Sequence, residues 1–333
     1  MKKLISLLLM FLVLLSCNRN TFIVDIEMDN ANGKTIYLKK IINSDIVSID
    51  STIIKDNKAV FNVKCNDDKD AYHIFINGWR REMPFFADNK DVIIKGDFNA
   101  YNKIEIKASE TQSMLDDFNK KINDLDDDSL KEYLNDFLKN NAQNKLAPYL
   151  LYRYKWAYNL DELRHYANEF ATMHKNGYIE KIKKYITMLE RTEVGQPYIN
   201  FSLNNTEDKS ITLSSLINNN KLVMVDFWAS WCPDCRVENP NIVKIYNDFK
   251  DKGLEIISVS LDTNKDSWIK GIKDDNLYWE NHVSDLKGWN CPISNAYSVA
   301  FIPQNFLIDT DGVIVAKNLD GEALRSFINE YFK

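Results

Sequence analysis

The chain has 333 residues, with 48 acidic against 42 basic side chains, a formal net charge of −6 and 45% hydrophobic residues. That length suits two or three domains, and the acidic excess argues against a nucleic-acid partner. After Leu15 no apolar run is long enough to cross a bilayer.

Met1-Lys2-Lys3 is a short basic start, and Leu4 to Leu15 is an apolar run too short to span a membrane comfortably, the layout of a secretory signal. It ends in Leu14-Leu15-Ser16-Cys17, which resembles the lipobox of bacterial lipoproteins. The resemblance implies a signal peptide over residues 1–16 and a mature chain lipidated at Cys17, because several acyl chains anchor stably where one does not. An ordinary cleaved signal or an uncleaved anchor is the competing reading. A lipid anchor at Cys17 places the protein on the periplasm-facing side of a membrane and leaves inner or outer membrane open.

Residues 17–108 read as a small antiparallel β-sandwich or barrel. Candidate strands are Thr21–Glu27, Thr35–Lys39, Ile46–Ile54, Ala59–Val63, Tyr72–Ile76 and Val92–Lys95. Ala59-Val60-Phe61-Asn62-Val63 alternates best, and Asn32-Gly33 and Asp56-Asn57 supply turn chemistry. The stretch Ile49 to Ile53 followed by Ala59-Val60-Phe61 resembles a domain of unknown function found ahead of redox domains, and it brings no catalytic residue. Trp79-Arg80-Arg81 and Met83-Pro84-Phe85-Phe86 form either a ligand-facing loop or, as apolar groups near loop ends more often do, a packed edge.

Residues 109–192 change to a helical period and read as a spacer for the domain that follows. Ser129-Leu130-Lys131-Glu132 is a capping box opening a helix, with Asp126-Asp127-Asp128 where the helix dipole favours acids. Pro148 opens another helix, whose tyrosines and Trp156 are expected to pack. Leu160–Phe170 and Tyr178–Leu189 complete the set. His165 and His174 show no partner in the sequence.

Residues 193–333 carry the chemistry. Leu222 to Phe227 is an apolar run interrupted by Asp226, as in a strand buried on both faces. Cys232-Pro233-Asp234-Cys235 follows and opens a helix, with Pro233 in the first turn, where its missing N–H costs nothing. A thiol there meets unpaired N–H groups and the positive end of the dipole, which favour the thiolate. Cys235 lies within reach of Cys232, so the pair is a redox dithiol. Leu254–Leu261, Lys265–Lys273, the hairpin Phe301–Asp309 with Val313–Ala316, and Glu322–Phe332 complete a strand, helix, strand, helix, hairpin, helix order.

From Val194 to Lys333 these features resemble the thioredoxin superfamily, and in particular the membrane-tethered TlpA/ResA-like thiol–disulfide oxidoreductases. The resemblance implies an α/β thioredoxin fold. In it Cys232 attacks, Cys235 resolves, Asp226 exchanges protons with Cys235, Trp231 precedes the dithiol, and Pro303 is the cis-proline facing it. Cys232 is expected to be exposed at the helix start, with Trp231, Pro233, Asp234 and the Ile302 backbone meeting the substrate. Arg236, Glu238 and Pro240 also match these relatives. Asp226 as a core acid paired with a lysine is the plain alternative. The implied partners are a protein disulfide substrate and a membrane electron donor, with no cofactor beyond the dithiol.

Other readings of the dithiol find less support. Zinc needs two more ligands at matching spacing, and Cys65 and Cys291 stand alone. A peroxidase wants a hydroxyl three residues before the cysteine, where Ala229 stands. A Cys65–Cys291 bridge is open to an exported protein, although the two lie in different expected domains. Asp234 sets a negative charge beside Cys232, which favours the disulfide and hence a reductant; Arg236 offsets part of it. An oxidase or isomerase, or a binding lipoprotein in which the dithiol is secondary, remain the alternatives.

Overall fold

The structure is a computed structural model describing residues 20–42, 44–65 and 70–333. The expected signal peptide and Cys17 lie outside the described residues. Two compact units are present, one of the described residues up to Arg153 with Phe170–Glu180, the other of Tyr154–Glu169 with Lys181–Lys333. The helical residues 109–192 are thus shared between the two.

The first unit holds two four-stranded sheets around one core. Strands β1 (Thr21–Asp29), β2 (Thr35–Ile42), β3 (Asp45–Ile53), β4 (Lys58–Lys64), β5 (Tyr72–Ile76), β6 (Met83–Phe85), β7 (Val92–Asp97) and β8 (Glu105–Lys107) pair in the orders β4-β1-β7-β8 and β3-β2-β5-β6. β1 and β4 bury every second residue, Phe22, Val24, Ile26 and Met28 facing the same core as Ala59, Phe61 and Val63. Asp56 and Asn57 both take positive φ, which joins β3 to β4 through a tight turn. One pair departs from the expected antiparallel arrangement: β1 runs parallel to β7. Parallel neighbours need a long crossover, and the chain between them supplies it by building the second sheet. Met83-Pro84-Phe85 is an edge strand on β5 rather than a loop, with proline at an edge where it costs no ladder bond.

Helices α1 (Glu110–Ile122), α2 (Asp127–Asn140), α3 (Leu146–Arg153), α4 (Leu160–Met173) and α5 (Gly177–Glu190) follow. The capping of α2 differs from expectation. Asp126, not Ser129, is its N-cap, its carboxylate accepting from the Ser129 N–H at 2.9 Å. An aspartate at the cap satisfies an end N–H and meets the dipole with a full charge, so the helix starts earlier.

The second unit is built on a five-stranded sheet of order β13-β12-β11-β14-β15, from β11 (Leu222–Trp228), β12 (Leu254–Ser260), β13 (Asn281–Val283), β14 (Gln304–Asp309) and β15 (Ile314–Lys317). β12 and β13 run parallel to their neighbours; β14 and β15 are antiparallel. A separate hairpin, β9 (Ser202–Asn204) with β10 (Ser210–Thr212), precedes the short α6 (Leu213–Ile217). Helices α7 (Pro233–Phe249), α8 (Lys265–Asp274), α9 (Pro292–Ala296) and α10 (Gly321–Tyr331) complete the thioredoxin fold. The central β11 is buried at all seven positions. Leu222, Met224 and Trp228 join one core with α7 and α10, and Val223, Val225 and Phe227 join the opposite core. Alternation therefore turns Asp226 toward the α7 side. Among the described residues no helix is long and apolar enough to cross a membrane.

Candidate active site

Cys232 and Cys235 form a disulfide with Cα atoms 5.3 Å apart. Cys232 is the N-cap of α7, and its sulfur accepts the Cys235 N–H at 3.1 Å, which is the placement that Pro233 in the first turn permits. One expectation is corrected: in this oxidised state Cys232 is only 3% exposed and Cys235 1%. The rim is what solvent meets. Trp231, Pro233 and Asp234 are exposed, and Trp231 lies 6.5 Å from the equally exposed Trp289 ring. Trp228, by contrast, is fully buried packing.

The turn before the dithiol is clamped by polar groups. The Ser230 N–H and hydroxyl both donate to Asp262, at 2.9 and 2.6 Å, and Asp262 also accepts from the Ser260 hydroxyl at 2.7 Å. Arg236 donates to the Ser230 carbonyl at 3.1 Å and forms an ion pair with Asp275. Arg236 is thus anchored to the turn before the dithiol. Gly271 lets α8 approach closely; a Cβ there would meet Ser230 Cβ at 2.7 Å. Across from the dithiol, the Ile302–Pro303 bond is cis, and the Ile302 carbonyl oxygen lies 3.6 Å from Cys232 Sγ.

Asp226 is buried on the same side of the sheet as Cys235. Desolvation pushes its carboxyl up to about 7, tempered by the Ser258 hydroxyl donating at 3.0 Å and raised further by the Glu238 charge. The hydroxyl of Ser258, rather than a lysine, is thus the neighbour that favours its ionised form. Ser258 in turn accepts from Trp279 Nε1 at 3.0 Å, and Trp279 stacks on His282 with centroids 5.2 Å apart. Burial pushes His282 down to about 4, so the imidazole is neutral at physiological pH. Glu238 accepts from the Gly321 N–H at 2.9 Å, tying α7 to the start of α10. Ser258, Trp279, His282 and Trp289 escaped the reading of the sequence. Ser258 had a signal, a hydroxyl inside the apolar run Leu254–Leu261; the others come to the site only through the fold.

Among the described residues the other two cysteines, Cys65 and Cys291, are free thiols, so no bridge joins them. Cys291 is fully buried, and desolvation raises its pKa.

Comparison with known proteins gives the family. The AhpC/TSA family matches residues 194–317, and a domain of unknown function, DUF4369, matches residues 22–115. The thiol–disulfide oxidoreductase ResA of Bacillus thuringiensis subsp. konkukian is 32% identical over 149 residues, 45% of this chain and 82% of the relative. ResA of Bacillus subtilis is 32% identical over 142 residues, 43% of this chain and 75% of that protein. A crystal structure of the thioredoxin domain of a thiol–disulfide oxidoreductase from Bacteroides vulgatus is 33% identical, covers 42% of this chain and 99% of its own, and has a TM-score of 0.40. With a Cys-Pro-Asp-Cys disulfide capping a helix opposite a cis-proline, and ResA relatives matched over most of their length, the chain belongs to the ResA-like thiol–disulfide oxidoreductases.

Proposed function

We propose that this oxidoreductase is a lipid-anchored, periplasm-facing reductase of protein disulfides. The observation that carries it is the placement of Cys232 Sγ, which accepts the Cys235 N–H at 3.1 Å and lies 3.6 Å from the Ile302 carbonyl oxygen. The reduced Cys232 thiolate attacks one sulfur of a substrate disulfide, forming a mixed disulfide and expelling the other substrate sulfur as a thiolate. Cys235 gives its proton to the Asp226 carboxylate and attacks Cys232 Sγ. The Cys232–Cys235 bond forms, the mixed disulfide breaks, and the second substrate thiolate leaves; two electrons have passed to the substrate. A carboxyl poised at about 7 can accept that proton and return it when a dithiol donor reduces the pair again.

The Ile302 backbone offers an edge on which the substrate chain can add a strand, while Trp231, Pro233 and Asp234 form the rim it meets. Asp234 and the Ile302 carbonyl both set negative charge against the Cys232 thiolate, which supports the reducing direction. Cys17 supplies the anchor, and a membrane dithiol protein is the electron donor.

The test is the redox equilibrium of the Cys232–Cys235 pair in glutathione and dithiothreitol buffers, with Cys232→Ser as control. A potential near or below about −270 mV, thioredoxin's, supports a reductase, and one near about −120 mV, DsbA's, makes the protein an oxidant.

A further inference from the structure

Ser258 Oγ lies 3.0 Å from Asp226 Oδ2 and 3.0 Å from Trp279 Nε1. An indole N–H only donates, so toward Trp279 the serine oxygen must accept. The hydroxyl carries a single proton, and the acceptor within reach is Asp226 Oδ2. The direction of the chain is therefore imposed: Trp279 donates to Ser258, and Ser258 donates to Asp226. A serine without the indole can instead turn a lone pair toward a protonated aspartate, and then it favours neither form of the acid.

Trp279 is held on both sides. It is buried, stacks on His282 with centroids 5.2 Å apart, and meets the Tyr246 ring at a steep angle with centroids 5.5 Å apart. Tyr246 belongs to α7, the helix that Cys232 caps. Ser258 is fully buried beside Asp226 in the β11–β12 register, where a hydrogen bond to a charged group is strong.

Few other groups bear on Asp226. From α7 come the Glu238 charge and the Cys235 thiol on the same side of the sheet. From β14, Asn305 stands opposite in register, its amide bonded to the Leu319 backbone at 2.6 and 3.1 Å. From β13, the neutral His282 stands one ring further off, behind Trp279. None of these is a cation. Burial and Glu238 both favour the protonated acid, and Ser258 is the group that opposes them.

We propose that Trp279 and Ser258 are positioning residues for the dithiol, a one-way hydrogen-bond chain that holds Asp226 as an acceptor ready for the Cys235 proton. It rests on the reading of Asp226 as the base for Cys235. A neutral carboxyl accepts through its carbonyl oxygen, so with Ser258 on Oδ2 the proton taken up goes to Oδ1.

The experiment follows the Asp226 carboxyl by carbon-13 NMR across pH in the oxidised protein, where Cys235 has no proton to give. The Asp226 signal is the one missing from Asp226→Asn. Ser258→Ala should raise the titration midpoint by about one pH unit or more, because the donor to the ionised form is gone. Ser258→Thr, which keeps the hydroxyl, should return it to the wild-type value. Trp279→Phe should raise it by a smaller amount, since the serine is then free to turn. A midpoint unchanged or lowered in Ser258→Ala or Trp279→Phe, or still raised in Ser258→Thr, overturns the proposal.

A kinetic measurement separates the proposal from the reading beneath it. Reduced protein treated with 5,5′-dithiobis(2-nitrobenzoate) forms a mixed disulfide on Cys232, and its resolution by Cys235 releases a second thionitrobenzoate. The inflection in the rate of that second release should move upward in Ser258→Ala together with the carboxyl midpoint. If the midpoint moves and the rate inflection stays, Asp226 is not the base and that reading fails. If neither moves, the hydrogen-bond chain itself has no hold on the acid and the proposal fails.

Discussion

Two cysteines in the C-terminal unit stand at the same local address, and only one is redox-paired. Cys232 caps α7 and is followed by Pro233; Cys291 caps α9 and is followed by Pro292. α7 runs 17 residues and α9 only five, so the field at the second cap is weaker. Three residues on, Cys235 stands in α7, whereas α9 has Ser294, whose hydroxyl turns back to the Cys291 carbonyl at 2.9 Å. Cys232 faces the cis-proline loop beneath an exposed tryptophan rim, and Cys291 is sealed in the core with its pKa raised by burial. A cap and a proline do not make a thiol reactive; a partner at the fourth position and an opening at the rim do.

The largest expected effect separates the two directly. Cys235→Ser should lower catalytic turnover by roughly 10³-fold or more and trap a mixed disulfide on Cys232 visible by mass spectrometry, because only the resolving thiol ends the cycle. Cys291→Ser should change turnover by less than about twofold; a larger loss of activity without loss of stability would join Cys291 to the mechanism.

Asp226→Asn should slow resolution of the mixed disulfide roughly 10²-fold and remove an inflection near pH 7 from the pH–rate profile. Retention of that inflection would assign it to another group. Alkylation of the reduced, folded protein by iodoacetamide at pH 7 should modify Cys232 at least about tenfold faster than Cys291, with the order read by peptide mapping.

The buried groups beside the dithiol should also show in stability. The folded pKa of Asp226 is raised from 3.8 to about 7, so the stability its proton confers is full below about pH 4 and lost as pH rises through 7. His282 is lowered from 6.5 to about 4, so its contribution is full above pH 6.5 and lost as pH falls through 4. The two slopes oppose each other in wild type between pH 4 and 6.5. Asp226→Asn should therefore gain at most roughly 4 kcal/mol at pH 8 and nothing below pH 4, in denaturant titrations run across pH. His282→Phe should leave only the falling limb. Smallest of all, Ser294→Cys in a Cys232→Ser background should restore no turnover, since a second dithiol at α9 still lacks an opening; measurable activity would show that the missing partner was the whole difference.

Much of this was legible in the linear chain. The dithiol, its helix and the strand with Asp226 are local: a buried strand reads as an unbroken apolar run, a proline in the first turn marks the helix start, and both cysteines sit within one turn. Strand positions in the N-terminal unit were legible for the same reason, since alternation survives in Ala59–Val63. The sequence by itself determined the chemistry, the order of elements and the fold class. Tertiary structure alone decided the rest: the parallel pairing of β1 with β7, the burial of Cys232, and the Ser258–Trp279–His282 group behind Asp226. Each depends on residues far apart in the chain, whose meeting follows from packing and hydrogen bonding across elements and leaves no periodic trace along the sequence.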